Sequence, residues 1–268
     1  MKQSTAFLLA AMIGLAGSGG QAFAQSGAAG APKVAVHPAI EPAALDLVKA
    51  MSDKLAAAKT LSFVAQGSFD LPARTGQPLF YLTRSDVLLQ RPDKLRVIVP
   101  GDGPPSEFYY DGSKVSVFQP GADLVATANM SGNLDSMLEA IYERAGIYFP
   151  FVDFISADPY KTLTTGLTHA FVIGKSQLVD NTTTDVVAIS TRDVSLQIWI
   201  GSDDKLPRLV WATMTSESGM PRHMVQFSDW KLDGAAPGQN AFQPKTGDKT
   251  KQIGLARPDV QASAKPKP

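Results

Sequence analysis

The first folded segment of the chain carries apolar residues at helical spacing. Within residues 41–60, Leu45, Val48, Met51 and Leu55 lie three or four positions apart, and charged residues occupy other parts of the helical wheel. This spacing places the apolar side chains on one face of an α-helix. We therefore predict that an amphipathic helix opens the fold.

The hydrophobic period changes to two after residue 60. Apolar and polar residues alternate through Leu61–Asp70, which is the pattern of a strand with one buried face. Asp111 and Gly112 form a typical hairpin turn between two later runs of this kind. The runs predict ten strands, at Leu61–Asp70, Leu79–Arg91, Leu95–Pro100, Ser106–Tyr110, Lys114–Gln119, Ala170–Gly174, Asp185–Ser190, Ser195–Ile200, Arg208–Thr215 and His223–Leu232.

Two helical stretches interrupt the strands. The first, Asn133–Arg144, has one apolar face and is followed by Gly146, a residue type that commonly ends helices. The second, Phe149–Leu167, is aromatic and broken by two prolines, so we expect one or two short helices there. Because most successive strands are joined by short turns, the pattern predicts an α+β fold, with a large curved antiparallel sheet and helices on one face.

The two ends of the chain predict segments outside the folded domain. Residues 1–24 combine Lys2, an apolar run and a small-residue cleavage site, as a secretory signal peptide does. Residues 25–40 predict a flexible leader and residues 256–268 a disordered tail, because both lack a hydrophobic period. The domain would then span residues 41–255, and the signal peptide predicts a periplasmic location.

Charge and cysteine content narrow the functional classes. The 25 basic residues are balanced by 25 acidic ones, so the chain lacks the cationic excess of a nucleic-acid binder. The sequence has no cysteine, which excludes disulfides, thiolate metal sites, cysteine nucleophiles and lipid-modified cysteines. After the signal peptide no apolar run has the length of a membrane span, so we expect none in the mature chain.

Candidate catalytic chemistry is sparse. The sequence has none of the common nucleophile, metalloprotease, phosphate or dinucleotide motifs. Ser202 and Lys205 have the spacing of a serine–lysine dyad, but their position between two predicted strands indicates a hairpin turn. His169 and His223 lie near the starts of different strands, which favours ordinary strand-edge histidines over a metal site. We therefore predict a non-enzymatic protein without a cofactor or a metal.

Arg91 is a charged side chain on an otherwise apolar face of the predicted sheet. It shares its parity with Val87, Leu89 and Leu95. An unpaired cation on such a face is costly. Either Pro92 starts a turn that lets Arg91 reach solvent, or the guanidinium crosses a cavity mouth to carbonyls or a carboxylate on a covering helix.

Many aromatic and apolar residues fall in the predicted strands. They either fill an ordinary core or line an apolar cavity, because a strongly curved sheet under few helices is difficult to fill. For a cavity we expect the lining Phe63, Val87, Leu89, Leu95, Val97, Phe108, Tyr110, Trp199, Trp211 and Met214. For its lid we expect Leu134, Met137, Leu138, Ile141, Phe151 and Phe154.

A series of short phrases gives the sequence a family resemblance. In chain order they are residues 91–96 (RPDKLR), 110–114 (YDGSK), 134–141, 149–154 (FPFVDF), 158–160 (DPY), 197–200 (QIWI), 206–208 (LPR) and 229–230 (DW). Together they resemble a predicted periplasmic family known as domain of unknown function 2092. The resemblance spans roughly Pro42–Leu255, nearly the whole mature chain.

That family is similar, more distantly, to the periplasmic lipoprotein carriers of the LolA type and their outer-membrane receptors of the LolB type. The resemblance implies an incomplete antiparallel β-barrel of about ten strands, whose apolar concave side is covered by helices and takes acyl chains. It also implies that Arg91, at an Arg-Pro strand end, latches the lid. Leu95 stands where the carriers have an aromatic residue near the cavity mouth.

Two functional hypotheses follow. The first is a soluble periplasmic protein that binds a lipid or the acyl chain of a lipoprotein, without enzymatic activity. The second is a periplasmic protein-interaction or envelope-sensing module of the same fold that carries no lipid. The expected partner is therefore lipid or acylated protein cargo, or an envelope protein, and not nucleic acid.

Overall fold

The computed structural model describes residues 39–101, 104–217 and 219–256. The strands are β1 (Thr60–Pro72), β2 (Pro78–Gln90), β3 (Lys94–Val99), β4 (Ser106–Tyr110), β5 (Lys114–Gln119), β6 (Leu124–Asn129), β7 (His169–Ser176), β8 (Thr184–Ser190), β9 (Val194–Gly201), β10 (Pro207–Met214), β11 (Arg222–Leu232) and β12 (Lys251–Ile253). The helices are α1 (Pro42–Ala57), α2 (Leu134–Ala145), α3 (Val152–Ile155) and α4 (Pro159–Thr164), with a 3-10 helix at Gln239–Phe242.

The twelve strands form one sheet in the order β12-β6-β5-β4-β3-β2-β1-β11-β10-β9-β8-β7. Neighbouring strands are antiparallel, except that β12 runs parallel to β6. β7 and β12 are the two edges, so the sheet is open. The structure thus confirms the predicted class, a large curved antiparallel sheet with a few helices.

All ten predicted strands are present, and β6 and β12 are additional. β6 has no clear alternation because Val125 and Ala126, which point to opposite faces, are both buried. β12 is only three residues long, and all three are exposed. Neither strand therefore produces the period-two signal by which the others were predicted.

Side chains at alternate positions of the central strands line the concave face of the sheet. Phe63 pairs with Val87 across β1 and β2. Val87 in turn pairs with Val97, and Val97 pairs with Phe108. Directly paired residues of adjacent strands point to the same face, so the helices that pack there meet a continuous apolar surface.

The predicted opening helix is α1, and it packs its apolar face into the core. Ala44, Val48, Met51 and Leu55 are each fully buried. Burial of each larger side chain contributes about 1.5–3 kcal/mol. The helix is therefore held by its packing, although Glu41, the residue before its first turn, makes no side-chain cap.

The second predicted helix, α2, has defined signals at both ends. The Asn133 side chain accepts a hydrogen bond from the backbone N–H of Ser136 at 3.0 Å. Gly146 ends the helix with a φ of 68° and donates its N–H to the carbonyl of Tyr142 at 2.8 Å. This left-handed conformation favours glycine, so the predicted stop is confirmed.

The C-terminal residues 238–255, which we call the C-terminal strap, pass over the convex face of β3, β4 and β5 before they reach the edge of the sheet. Phe242 is only 3% exposed there. The Arg96 guanidinium donates a hydrogen bond to the carbonyl of Ala241 at 3.5 Å. Gly247 to Thr250 then lead into β12, which pairs with the outer edge of β6.

The predicted signal peptide, all but the last two residues of the predicted leader and all but the first residue of the predicted tail lie outside the described residues. Ile40 forms a parallel bridge with Ala170 on the edge strand β7. In the part of the chain that the structure describes, no helix combines the length and the hydropathy of a membrane span.

Candidate functional site

Most residues expected to line a cavity instead fill a core. Buried together in one cluster are Phe63, Val87, Leu89, Leu95, Val97, Phe108 and Tyr110 from the sheet, and Leu134, Met137, Ile141, Phe151 and Phe154 from the expected lid. Leu138 packs against the edge of this cluster. Even the polar atom of Tyr110 is satisfied, because its hydroxyl donates to the carbonyl of Gly132 at 2.8 Å.

Aromatic rings occupy the centre of the concave face. We call them the aromatic plug: Phe63, Phe108, Phe149, Phe151, Phe154, Phe227 and Trp230. The rings of Phe63 and Trp230 are stacked with centroids 4.4 Å apart, and Phe63 meets Phe151 edge to face at 5.4 Å. The residues between α2 and α3 supply Phe149 and Phe151, so the expected lid is packed directly onto the sheet.

Trp199 and Trp211, expected in the cavity, point the other way. Trp211 is 38% exposed, whereas its neighbours Val210 and Ala212 are buried in the concave side. Trp199 is likewise half-buried between the fully buried Ile198 and Ile200. Successive residues of a strand alternate between faces, so both tryptophans lie on the convex face. Aromatic character alone did not indicate the side of the sheet.

Arg91 lies at one end of the strands, which we call the closed end. Its guanidinium is half-buried and donates a hydrogen bond to the carbonyl of Leu55, in the last turn of α1, at 3.4 Å. The next residue, Pro92, accepts a hydrogen bond from the N–H of Leu134, the first residue of α2, at 3.0 Å. Desolvation lowers the pKa of Arg91, and the nearby Asp135 carboxylate opposes that effect. The β2–β3 turn therefore contacts two covering helices.

A mainly apolar cavity lies at the opposite end of the strands, where the β1–β2 hairpin projects. This end cavity has a volume of about 540 Å³. It begins at Ser85 on β2, about 20 Å from Arg91 at roughly 3.3 Å per strand residue. Its lining includes Phe69, Tyr81, Thr83, Val99, Ser106, Tyr148, Phe149, Pro150 and His223.

Small side chains leave this space unfilled, and aromatic side chains lie beside its opening. Gly67, Thr83 and Ser85 lie side by side on the concave face of β1 and β2. A β-carbon at Gly67 would lie only 3.1 Å from Cγ2 of Thr83. The rings of Phe69 and Tyr81 stack at 5.4 Å beside the opening, and Tyr81 is 39% exposed. The cavity is therefore apolar inside and accessible from solvent.

Two further cavities adjoin the end cavity at Tyr148 and His223, which line all three. The first, which we call the α4-side cavity, has a volume of about 430 Å³ and includes Asp153 and Met214. The second, the α2-side cavity, has a volume of about 540 Å³ and includes Glu139. Of the residues expected from the sequence, Met214 and Phe154 line the α4-side cavity and Leu138 lines the α2-side cavity.

Asp153 and Tyr148 are the groups of this region whose protonation is most altered. Burial raises the pKa of Asp153. Desolvation, followed by the charge of Asp153 and the proximity of Tyr142, raises the pKa of Tyr148 to about 12, although Tyr148 is half exposed as a whole. Both groups therefore favour their neutral forms more than they would in water.

The candidate catalytic residues lie in a turn and near the starts of strands. Ser202 and Lys205 lie in the β9–β10 turn, and the Lys205 ammonium donates to the carbonyl of Ser202 rather than to its hydroxyl. His169 and His223 begin β7 and β11 at separate places in the sheet. Among the described residues, no cluster of histidine and carboxylate side chains has the arrangement of a metal site.

Fold and cavities together define a protein with an open, helix-covered β-sheet and a ligand-sized apolar space at one end. The chain belongs to a family of predicted periplasmic proteins, DUF2092, whose sequence model matches residues 44–256. This confirms the family and the periplasmic location predicted from the sequence. Among curated proteins, no sequence matches the chain significantly.

Several solved structures are similar to the chain in backbone arrangement. LprF from Mycobacterium bovis has 13% identity and a TM-score of 0.46, and the match covers 78% of this chain and 99% of that one. A LolA superfamily protein from Nitrosomonas europaea has 11% identity and a TM-score of 0.36, with coverages of 75% and 97%. MucB, in a Pseudomonas aeruginosa complex with MucA, has 19% identity and a TM-score of 0.40, with coverages of 75% and 61%.

Proposed function

We propose that this protein is a non-enzymatic periplasmic binding protein that holds the acyl chain of a lipid or lipoprotein in the end cavity. The observation that carries the proposal is the cavity itself, an apolar space of about 540 Å³ beside a filled core. Ligand pockets commonly occupy roughly 300–1,000 Å³. The ring pair of Phe69 and Tyr81 at the opening offers a first contact for an entering chain.

The driving force is the removal of the acyl chain from water. Each buried methylene contributes about 0.8 kcal/mol. Shortening a bound chain by two methylenes should therefore weaken binding about tenfold. A cavity that admits the chain only part of the way would show this dependence up to a limiting length and none beyond it.

The test is native mass spectrometry of the mature protein, purified from the periplasm without detergent, followed by titration with alkyl chains of increasing length. Thr83→Phe projects a ring into the end cavity and should weaken binding tenfold or more. Thr213→Phe adds the same ring on the convex face of β10 and should leave binding unchanged. A purified protein without lipid that takes up no added chain would refute the proposal.

A second candidate function is recognition of an envelope protein. It is favoured by exposed apolar residues outside the cavities. Leu79 and Phe80 near the β1–β2 hairpin tip are 36% and 65% exposed, and Phe171 and Ile173 on β7 are about half exposed. Contiguous exposed apolar residues commonly mark interaction surfaces.

Cross-linking in the periplasm distinguishes this candidate from the first. If an envelope protein is the physiological partner, Phe80→Asp or Phe171→Asp should abolish a specific cross-linked product. Both variants should leave acyl-chain uptake by the purified protein intact. A cross-linking pattern identical to that of the wild-type protein would argue against both surfaces.

A further inference from the structure

The charged side chains around the three joined cavities share one sign. Asp153 and Asp193 line the α4-side cavity, and Glu139 and Glu217 line the α2-side cavity. No lysine or arginine is present among the described lining residues of these two cavities or of the end cavity. His223, which lines all three, is the remaining titratable base.

Asp153 is the half-buried one of these four acidic residues, and the other three are exposed. Desolvation is the effect that raises its pKa, and no neighbouring cation lowers it. In the part of the chain that the structure describes, its carboxylate has no hydrogen-bond donor and no basic partner within ion-pair distance. A partly buried carboxylate without a counter-charge is costly, so a cation placed beside it would be stabilising.

Aromatic rings beside the carboxylates also favour a positively charged ligand. Tyr142 and Tyr148 meet edge to face with centroids 6.4 Å apart, and both line the α2-side cavity together with Glu139 and Glu217. Each tyrosine is about half exposed, so ring surface faces the cavity and its opening. A ring face attracts an ammonium group, and a nearby carboxylate adds to that attraction.

We infer that the ligand is a cationic amphiphile, with its alkyl chain in the end cavity and its ammonium head near Tyr148 among Asp153, Glu139 and Glu217. The inference rests on the proposed function, because it assigns a head group to the chain that the end cavity holds. Tyr148 lines all three cavities, which makes it the point where chain and head meet. An anionic head would instead meet an excess of like charge.

The test compares four dodecyl ligands that differ in their heads: dodecylamine, dodecyltrimethylammonium, dodecyl maltoside and dodecanoate. Isothermal titration calorimetry with the full mature chain at neutral pH and low salt, below the critical micelle concentrations, gives each affinity. We expect the two cations to bind at least tenfold more tightly than the maltoside, and dodecanoate to bind most weakly.

Two variants separate charge recognition from chain binding. Asp153→Asn should reduce the affinity for the two cations, and with it their preference over the maltoside, about tenfold. Asp46→Asn removes the same charge from the exposed side of α1, away from the cavities, and should change neither value.

The outcomes distinguish the inference from the proposed function. Equal affinities for all heads, tightest binding of dodecanoate, or an unchanged preference in Asp153→Asn would overturn the cationic head while the chain site stands. Failure of all four ligands to bind would overturn the chain site and the inference with it.

Discussion

Asp153 lies where its negative charge is unfavourable, and this has a consequence for stability as well as for binding. Its pKa is raised by burial in the folded protein, whereas in the unfolded chain it returns to about 3.9. A carboxyl group of this kind contributes most to stability below its unfolded pKa. That contribution is lost as the pH rises through the folded pKa.

Asp153→Asn should therefore stabilise the protein at pH 7, by about 1 kcal/mol, the scale of an uncompensated polar group. The difference from the wild-type free energy of unfolding should shrink as the pH falls toward 3. Tyr148, Asp193 and His223 share the cavity but are present in both proteins, so the difference isolates Asp153. Urea denaturation at several pH values measures it, and a constant difference would contradict the assignment.

Arg91 joins the sheet to its helices at the closed end. Arg91→Leu removes the hydrogen bond to the Leu55 carbonyl, and a bond from a charged donor contributes about 1.5–3 kcal/mol. We expect faster hydrogen exchange in the last turn of α1 and altered rates of acyl-probe uptake.

Arg84→Leu is the control for that experiment. Arg84 is exposed and pairs with Asp86 on the surface of β2, so its loss should change neither measurement. If Arg91→Leu leaves both exchange and uptake at wild-type rates, Arg91 is not a latch.

Helix α2 is capped by a side chain at its N-terminus and by a left-handed glycine at its C-terminus. Asn133→Ala removes the hydrogen bond to the N–H of Ser136, which costs about 1 kcal/mol. For a domain of this size, we expect a melting temperature lower by about 2–4 °C. Asn129→Ala, at the exposed end of β6, should leave the melting temperature unchanged, and equal shifts in both variants would exclude a capping role.

Elements with a strong period were predictable from the sequence, whereas the position of the cavity was not. The spacing of Leu45, Val48 and Met51 indicated α1 directly, and alternation indicated ten strands. Alternation assigns residues to a face, however, without saying how much of that face is covered. Phe63 and Phe108 were correctly placed in strands, yet the rings that follow α2 bury them completely.

The end cavity could not be located from the sequence because it depends on contacts between residues that are distant in sequence. Thr83 and Ser85 carry no apolar signal, and they mark a cavity only because Gly67 faces Thr83 across the strand pair and Pro150 ends the cover nearby. Phe69 belonged to the predicted alternating run and was the available hint. The β1–β11 pairing, which brings His223 beside Phe69, links residues more than 150 positions apart.

The C-terminal strap covers one edge and part of one face of the twelve-stranded sheet. Phe242→Ala removes a side chain that is 3% exposed and should cost about 3–5 kcal/mol. It should also release β12 from the outer edge of β6, where unpaired backbone groups promote association.

Urea denaturation and sedimentation velocity together test this role of the strap. Phe80→Ala removes the same ring from an exposed position and should change stability by no more than about 0.5 kcal/mol. A monomeric Phe242→Ala protein of wild-type stability would show that the strap neither stabilises the sheet nor protects its edge.

The aromatic plug has a consequence for how sequences of this kind can diverge. Most of its rings lie in the filled core, and only Phe149 and Phe154 also line a cavity. Substitutions at sites without shared contacts act nearly independently on stability. We therefore expect residues such as Thr83 and Ser106 to tolerate change while Phe63, Phe151 and Phe227 keep the chain folded, so that one scaffold can acquire new ligands by mutation around the end cavity.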